Sequence, residues 1–81
     1  RLASPLSERA PRVTARQLMG ALQRSGWLVE RQRGSHILLV HPLLLGRITV
    51  PNHAGRILLP KTLDSILDQA SMTVDELRAL L

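Results

Sequence analysis

The chain has 81 residues, of which 44% are hydrophobic and none is cysteine. It is long enough for one small core and too short for two, and the missing cysteine excludes a disulfide framework and a thiolate metal site. Eleven Lys and Arg, ten of them Arg, stand against six Asp and Glu, for a formal net charge of +5. Because a guanidinium binds phosphate bidentately, this balance favours RNA or DNA as a partner, although a basic surface that only keeps the protein in solution has the same composition.

Two further features narrow the class of protein. Trp27 is the only aromatic residue, which argues against the binders of single strands that stack bases on Phe or Tyr. The apolar runs are far shorter than the roughly 20 residues that cross a bilayer, and no signal peptide is recognisable. We therefore expect a soluble, cytoplasmic protein without a membrane partner.

The first helix is predicted after a short N-terminal segment. Residues 1–12 contain two prolines, two serines and no periodic apolar pattern, so they are predicted to be a flexible tail or linker before a single domain at residues 13–81. Thr14 and Gln17 have the spacing of a capping box, and Gly26 follows the helix as a terminator. The spacing predicts a helix from Thr14 to Ser25. Its apolar face consists of Ala15, Leu18, Met19 and Leu22.

Three antiparallel strands are predicted next, at Trp27 to Gln32, His36 to His41 and Arg47 to Pro51. Turn residues separate them: the Arg33-Gly34-Ser35 segment suits the first hairpin, and a proline and a glycine bracket the second connection. Asn52 to Leu59 is predicted to be a loop.

Side-chain alternation assigns the two faces of this sheet. Ile37 and Leu39 would share one face, with Ile48 and Val50 as a match on the third strand. The other face would carry His36, Leu38 and Val40. If helices cover the first face, His36 lies on the open face beside two aliphatic side chains.

Two more helices complete the predicted fold. Pro60 suits the first turn of one, and Thr73 with Glu76 forms a second capping box for a short last helix. The order α-β-β-β-α-α predicts an α+β fold: a two-layer sandwich like that of double-stranded-RNA-binding domains, with helices on one face of a three-stranded antiparallel sheet. The expected core comprises Leu18, Leu22, Trp27, Ile37, Leu39, Ile48, Val50, Leu63, Ile66 and Leu67.

Candidate chemistry centres on His36, since a histidine side chain changes protonation near neutrality and the predicted hairpin holds this one at a strand mouth. RNA carries its own nucleophile, the 2′-hydroxyl, so a cleaving site needs a base and cations but no metal or cofactor. The candidate phosphate contacts, with His53 as a further neighbour, are Arg31, Arg33, Arg47, Arg56 and Lys61. The simpler interpretation of any one of them is a solvated surface charge, and of the histidine, a half-exposed residue after a turn.

Other chemistries fit the sequence poorly. His36 and His41 are an odd number of residues apart and point to opposite faces of one strand, with no acid close in sequence, which argues against a metal site. Ser35 precedes His36 directly, and adjacent strand residues diverge, so the pair does not suit nucleophilic catalysis. No glycine-rich loop opens a helix to cradle phosphate.

The order of several short segments resembles the HicA family of bacterial toxins over roughly Arg12 to Ala70. The segments that carry the resemblance are Ser25-Gly26-Trp27, Arg31-Gln32-Arg33-Gly34-Ser35-His36, His41-Pro42, Ile48-Thr49-Val50-Pro51 and Leu59-Pro60-Lys61. The resemblance implies a double-stranded-RNA-binding-like fold, metal-independent endoribonuclease cleavage of messenger RNA, and neutralisation by a cognate HicB antitoxin. By the same resemblance the catalytic histidine is His36. The alternative is a non-catalytic RNA-binding or protein-interaction module of the same fold.

Two stretches depart from the family pattern. Many members follow the catalytic histidine with further histidine or aromatic residues, whereas here Ile37-Leu38-Leu39 follows. The run Leu43-Leu44-Leu45 stands where a polar hairpin loop is expected. Such a run either folds back as core filler or forms a contact patch for a partner or for a second copy of the chain.

Overall fold

The computed structural model of the protein describes residues 10–81. Its elements, in chain order, are α1 (Ala15–Arg24), β1 (Leu28–Arg33), β2 (His36–Val40), β3 (Arg47–Pro51), α2 (Pro60–Gln69) and α3 (Val74–Leu80). The predicted element order is confirmed, as is the three-stranded antiparallel sheet, in which β2 lies between β1 and β3. Within the described residues, no helix is both long enough and apolar enough to cross a membrane.

The predicted tail falls largely on residues 1–9, which lie outside the described part of the chain. Ala10, the first described residue, is half-buried and packs against the core. Further along, the backbone N–H of Leu58 donates to the carbonyl of Val13 at 2.8 Å. The segment before α1 is thereby attached to the loop before α2.

Side-chain caps start two of the three helices in the described region. The Thr14 hydroxyl accepts from the backbone N–H of Gln17, whose side chain accepts from the backbone N–H of Thr14 at 2.9 Å. Thr73 and Glu76 make the same reciprocal pair at the start of α3. Both predicted capping boxes are therefore confirmed. Each satisfies two backbone donors that a helix N-terminus leaves unpaired.

Hydrophobic burial places the helices α1 and α2 on one face of the sheet. Ile37 and Leu39 of β2 are buried together with Ile48 and Val50 of β3, and α1 and α2 both contact β3. Every residue of the expected core is buried. Buried residues outside the expected core list include Val13, Ala21, Met72 and Leu77.

The opposite face of the sheet, which we call the open face, carries His36, Leu38 and Val40 from β2. His36 is exposed, whereas Leu38 and Val40 are half-buried. All six residues of β1 are exposed, and the pairing of β1 with β2 is interrupted by a bulge between Val29 and Arg31. The strand β1 is therefore a solvated edge, and such bulges blunt an edge against pairing with another chain.

A left-handed glycine ends α1. Gly26 has φ of +102°, its N–H donates to the Gln23 carbonyl, and the N–H of Trp27 donates to the Leu22 carbonyl, both at 3.0 Å. These bonds form a Schellman motif. A Cβ at position 26 would lie 2.8 Å from Nε2 of His41. Glycine is thus required twice, by its backbone conformation and by the imidazole packed against it.

Gly26→Ala tests this double requirement, with Gly55→Ala as the matched control. Gly55 also has positive φ, +74°, but no atom lies within 4 Å of its hypothetical Cβ. Both variants should lose about 1 kcal/mol from the left-handed backbone, and Gly26→Ala should lose about 1–3 kcal/mol more because His41 must move. Urea unfolding measures both. Equal losses of unfolding free energy in the two variants would show that the contact with His41 does not contribute to the requirement for glycine.

Candidate functional site

His36 is the first residue of β2 and follows a turn made by Gly34 and Ser35. It pairs with Arg33 on one side and with Pro51 on the other. Gly34 has φ of +54°, and its carbonyl accepts a hydrogen bond of 3.0 Å from the Gln32 side chain. The sheet therefore holds the backbone of His36 from both neighbouring strands, and a site on such a rigid element is positioned accurately.

The imidazole of His36 is left available to a substrate. Within residues 10–81 it makes no hydrogen bond and no ion pair, and the residue is exposed. Neither ring nitrogen is committed to a protein partner, so either can accept or donate a proton. The geometry suits a general base or a general acid that meets its substrate from solvent.

Two arginines share the open face with His36. Arg33 is directly opposite His36 across the β1–β2 pair, and Arg31 is opposite Leu38. Cross-strand partners lie on the same face with Cβ atoms about 5 Å apart, and diagonal neighbours lie about 7–8 Å apart. The structure thus places one histidine and two arginines at one end of the open face. We call these three residues, His36, Arg33 and Arg31, the histidine end.

Arg47 lies on the same face but at its far end. It is opposite Val40, which lies four residues beyond His36 on β2, a separation of about 13 Å along the strand. Its Nε is 3.4 Å from Oε1 of Glu30, the residue at the bulge of β1. Because part of its charge is already compensated by Glu30, Arg47 is a poorer candidate for an anion contact than Arg33.

The remaining candidates lie off the open face. Lys61 is exposed in the first turn of α2, the helix that packs on the buried side of β3. His53 and Arg56 are exposed in the loop after β3, where they line a groove with Pro51 and Thr62. Pro51 is also the cross-strand partner of His36. The loop that carries His53 and Arg56 therefore begins next to the histidine end, whereas Lys61 belongs to the helical layer.

His41, in contrast to His36, is fully engaged by the protein. Its Nδ1 accepts the backbone N–H groups of Leu43 and Leu44 at 3.0 and 3.2 Å, and its Nε2 lies 3.2 Å from the carbonyl of Ser25. Since Nδ1 accepts, Nε2 carries the hydrogen and donates it to Ser25. The ring also meets the edge of Trp27, with centroids 5.2 Å apart. His41 is therefore a structural residue that joins the end of α1 to the β2–β3 connection.

The leucine run after His41 does not fill the core. Leu43 and Leu45 are 87% and 98% exposed and Leu44 is 41% exposed, so the core-filler prediction is wrong. The physical reason is that the loop turns its backbone N–H groups toward His41. We call residues 43–45 the leucine loop.

The sequence did not reveal four features of this surface. They are the bulge at Glu30, the Glu30–Arg47 pair, the side-chain bond from Gln32, and the network of His41. The only sequence signal concerned the network of His41: the segments Ser25-Gly26-Trp27 and His41-Pro42 both belong to the family pattern. Among the described residues, no group of three or more His, Cys, Asp or Glu could hold a metal ion.

Comparison with known protein families gives a match. The family model of the HicA toxin of bacterial toxin-antitoxin systems matches residues 15–72. This range begins with α1, includes the whole sheet and α2, and ends before α3. No curated protein matches the chain.

His41→Ala should destabilise the fold, whereas His53→Ala and His36→Ala should not. Removing the imidazole leaves two backbone N–H groups without their acceptor and opens space beside Trp27, at a cost of about 1–3 kcal/mol. The other two histidines are exposed, so each change should stay within about 0.5 kcal/mol. Thermal or urea unfolding of the three variants checks this ranking, and a His36→Ala loss as large as that of His41→Ala would make His36 a structural residue.

Proposed function

Because the chain belongs to the HicA family of toxins of bacterial toxin-antitoxin systems, we propose that it is an endoribonuclease that cleaves messenger RNA with His36 as general base or acid. The single observation that carries this proposal is the histidine end: an exposed imidazole that makes no hydrogen bond or ion pair with residues 10–81, directly opposite Arg33. A histidine kept only for packing would have its nitrogens occupied, as those of His41 are.

The reaction needs no group beyond the protein and the RNA. A nitrogen of His36 removes the proton from a 2′-hydroxyl, and the 2′-oxygen attacks the adjacent phosphorus. The bond from that oxygen to phosphorus forms, the bond to the 5′-oxygen breaks, and the leaving oxygen takes up a proton from the imidazolium or from water. The products are a 2′,3′-cyclic phosphate and a 5′-hydroxyl end, formed equally well in a chelator.

The arginines of the histidine end stabilise the negative charge that develops on the phosphoryl group during the reaction. The phosphorane carries more negative charge than the ground-state phosphodiester, and a cation fixed beside it stabilises the transition state more than the substrate. Arg33 is the best placed because it is the direct cross-strand neighbour of His36. Arg31, Arg56, Arg47 and Lys61 then bind more distant phosphates of the strand, with the smallest contribution from the ion-paired Arg47.

The protein partner in this proposal is a cognate antitoxin of the HicB type. Family membership implies an antitoxin in general, and the open face is the surface that such a protein has to cover to keep RNA away from His36. Arg31, Arg33 and Arg47 on that face favour an acidic partner.

His36→Ala is expected to lower the rate of RNA cleavage by about 100-fold to 10,000-fold, the usual range for losing one general acid or base. The fold and the RNA affinity should be nearly unchanged, because the side chain is exposed and a neutral imidazole contributes less to binding than the arginines. Cleavage of labelled RNA in chelator, thermal unfolding and a binding assay measure the three quantities. His53→Ala, which removes another exposed histidine, is the control and should cleave like the wild type.

A folded His36→Ala variant that cleaves at the wild-type rate would remove His36 from the reaction. If the wild-type protein binds RNA but does not cleave it, the alternative of a non-catalytic RNA-binding module replaces the nuclease.

RNA binding is expected to depend steeply on salt. With about four phosphates contacted on a single strand, log affinity should fall with log salt with a slope near −3. Arg33→Ala should reduce that slope by about 0.7, whereas Arg47→Ala, which removes an ion-paired arginine, should change it less. Both are measured on the His36→Ala background so that the RNA stays intact. A slope near zero would refute electrostatic binding. An effect of Arg47→Ala larger than that of Arg33→Ala would show that RNA binds at the far end of the open face.

A further inference from the structure

The leucine loop is a large apolar surface that the proposed nuclease reaction does not use. Leu43 and Leu45 are almost wholly exposed, and Leu28 on β1 is 57% exposed. Leu28 is opposite Val40, the last residue of β2, so it lies at the end of the sheet from which the leucine loop departs. Leu28 and the leucine loop therefore lie at the same end of the sheet, the end farthest from His36.

The loop is held in place although its side chains are in solvent. The backbone N–H groups of Leu43 and Leu44 both donate to Nδ1 of His41, which is itself bonded to Ser25 and packed on Trp27. A loop that is already ordered loses little conformational entropy when its side chains are buried by a partner. Its exposed leucines therefore have the physical properties of a binding anchor.

Charge on the same face identifies the kind of partner. Arg31, Arg33 and Arg47 share the face with Glu30, which pairs with Arg47. A second copy of the chain would be repelled as a whole, because each copy has a formal net charge of +5. An acidic protein with an apolar pocket is complementary to both the charge and the leucines.

We propose that the leucine loop and Leu28 form the anchoring surface for the acidic antitoxin, separate from the histidine end. This inference rests on the proposed function for the identity of the partner. The anchor supplies affinity through buried leucines, whereas inhibition comes from the part of the antitoxin that extends over His36. Binding and catalysis are consequently separable by substitution.

The test uses the double variant Leu43→Asp/Leu45→Asp and the purified antitoxin, the protein encoded by the small gene adjacent to the toxin gene. The two side chains are so exposed that the substitutions should not affect folding, which thermal unfolding verifies. Affinity for the antitoxin, measured by calorimetry, should fall by about 10-fold to 100-fold for each leucine. RNA cleavage by the free variant should equal that of the wild type but should persist at antitoxin concentrations that silence the wild type.

The matched control is Leu59→Asp. Leu59 is 72% exposed and precedes α2 as its N-cap, a position where aspartate is favourable. It carries the same change from leucine to aspartate away from the open face, so its antitoxin affinity should equal that of the wild type.

Other outcomes overturn the proposal. The first is an unchanged antitoxin affinity of the double variant, and the second is an equal loss of affinity in Leu59→Asp. The third is a double variant that keeps its antitoxin affinity but loses either a self-association of the wild type, seen by sedimentation, or the binding of the wild type to vesicles of anionic lipid. If the wild-type protein does not cleave RNA, the nuclease proposal fails, but calorimetry with the antitoxin still decides whether the leucine loop is the anchor.

Discussion

The alternation of buried and exposed side chains along β2 is the constraint on which the rest of the structure depends. Ile37 and Leu39 are buried against the helical layer at 7% and 0% exposure. A shift of the strand register by one residue would expose both side chains to solvent and bring His36 and Leu38 into the core. The orientation of the candidate catalytic histidine is therefore a consequence of hydrophobic burial at its neighbours rather than of any contact that the imidazole makes.

Two histidines five residues apart on the chain have opposite roles because their surroundings differ. His36 follows the turn and keeps both nitrogens for solvent, whereas both nitrogens of His41 are bonded to the backbone. His41 also explains why a glycine and a tryptophan precede β1: Gly26 leaves room for the ring, and Trp27 packs against it. Part of the pattern that marks the family is thus a packing unit, and only the segment around His36 is a candidate for chemistry.

The open face is divided along its length. One end carries His36 with Arg33 and Arg31. The other carries Leu28 and Arg47, which pairs with Glu30, and it adjoins the leucine loop that follows β2. The proposed function requires the protein to meet both a polyanionic substrate and an antitoxin. In that proposal, the arginines at one end of the sheet attract the RNA electrostatically, and the leucines at the other end bind the antitoxin by hydrophobic burial.

Local physics in the sequence determined the capping boxes, the helices, the first hairpin and the two faces of the sheet, because each depends on residues only a few positions apart. It also determined that His36 faces solvent. The first hairpin already places Arg33 beside His36. Only the tertiary structure decided that Arg31 lies on the same face through the pairing of β1 with β2, and that Lys61 lies on α2. The bulge at Glu30, the pairing of Arg47 and the exposure of the leucine loop were likewise decided there. The bulge and the ion pair result from contacts between residues distant along the chain, and the leucine loop from its hydrogen bonds to His41. No periodicity or spacing records these contacts.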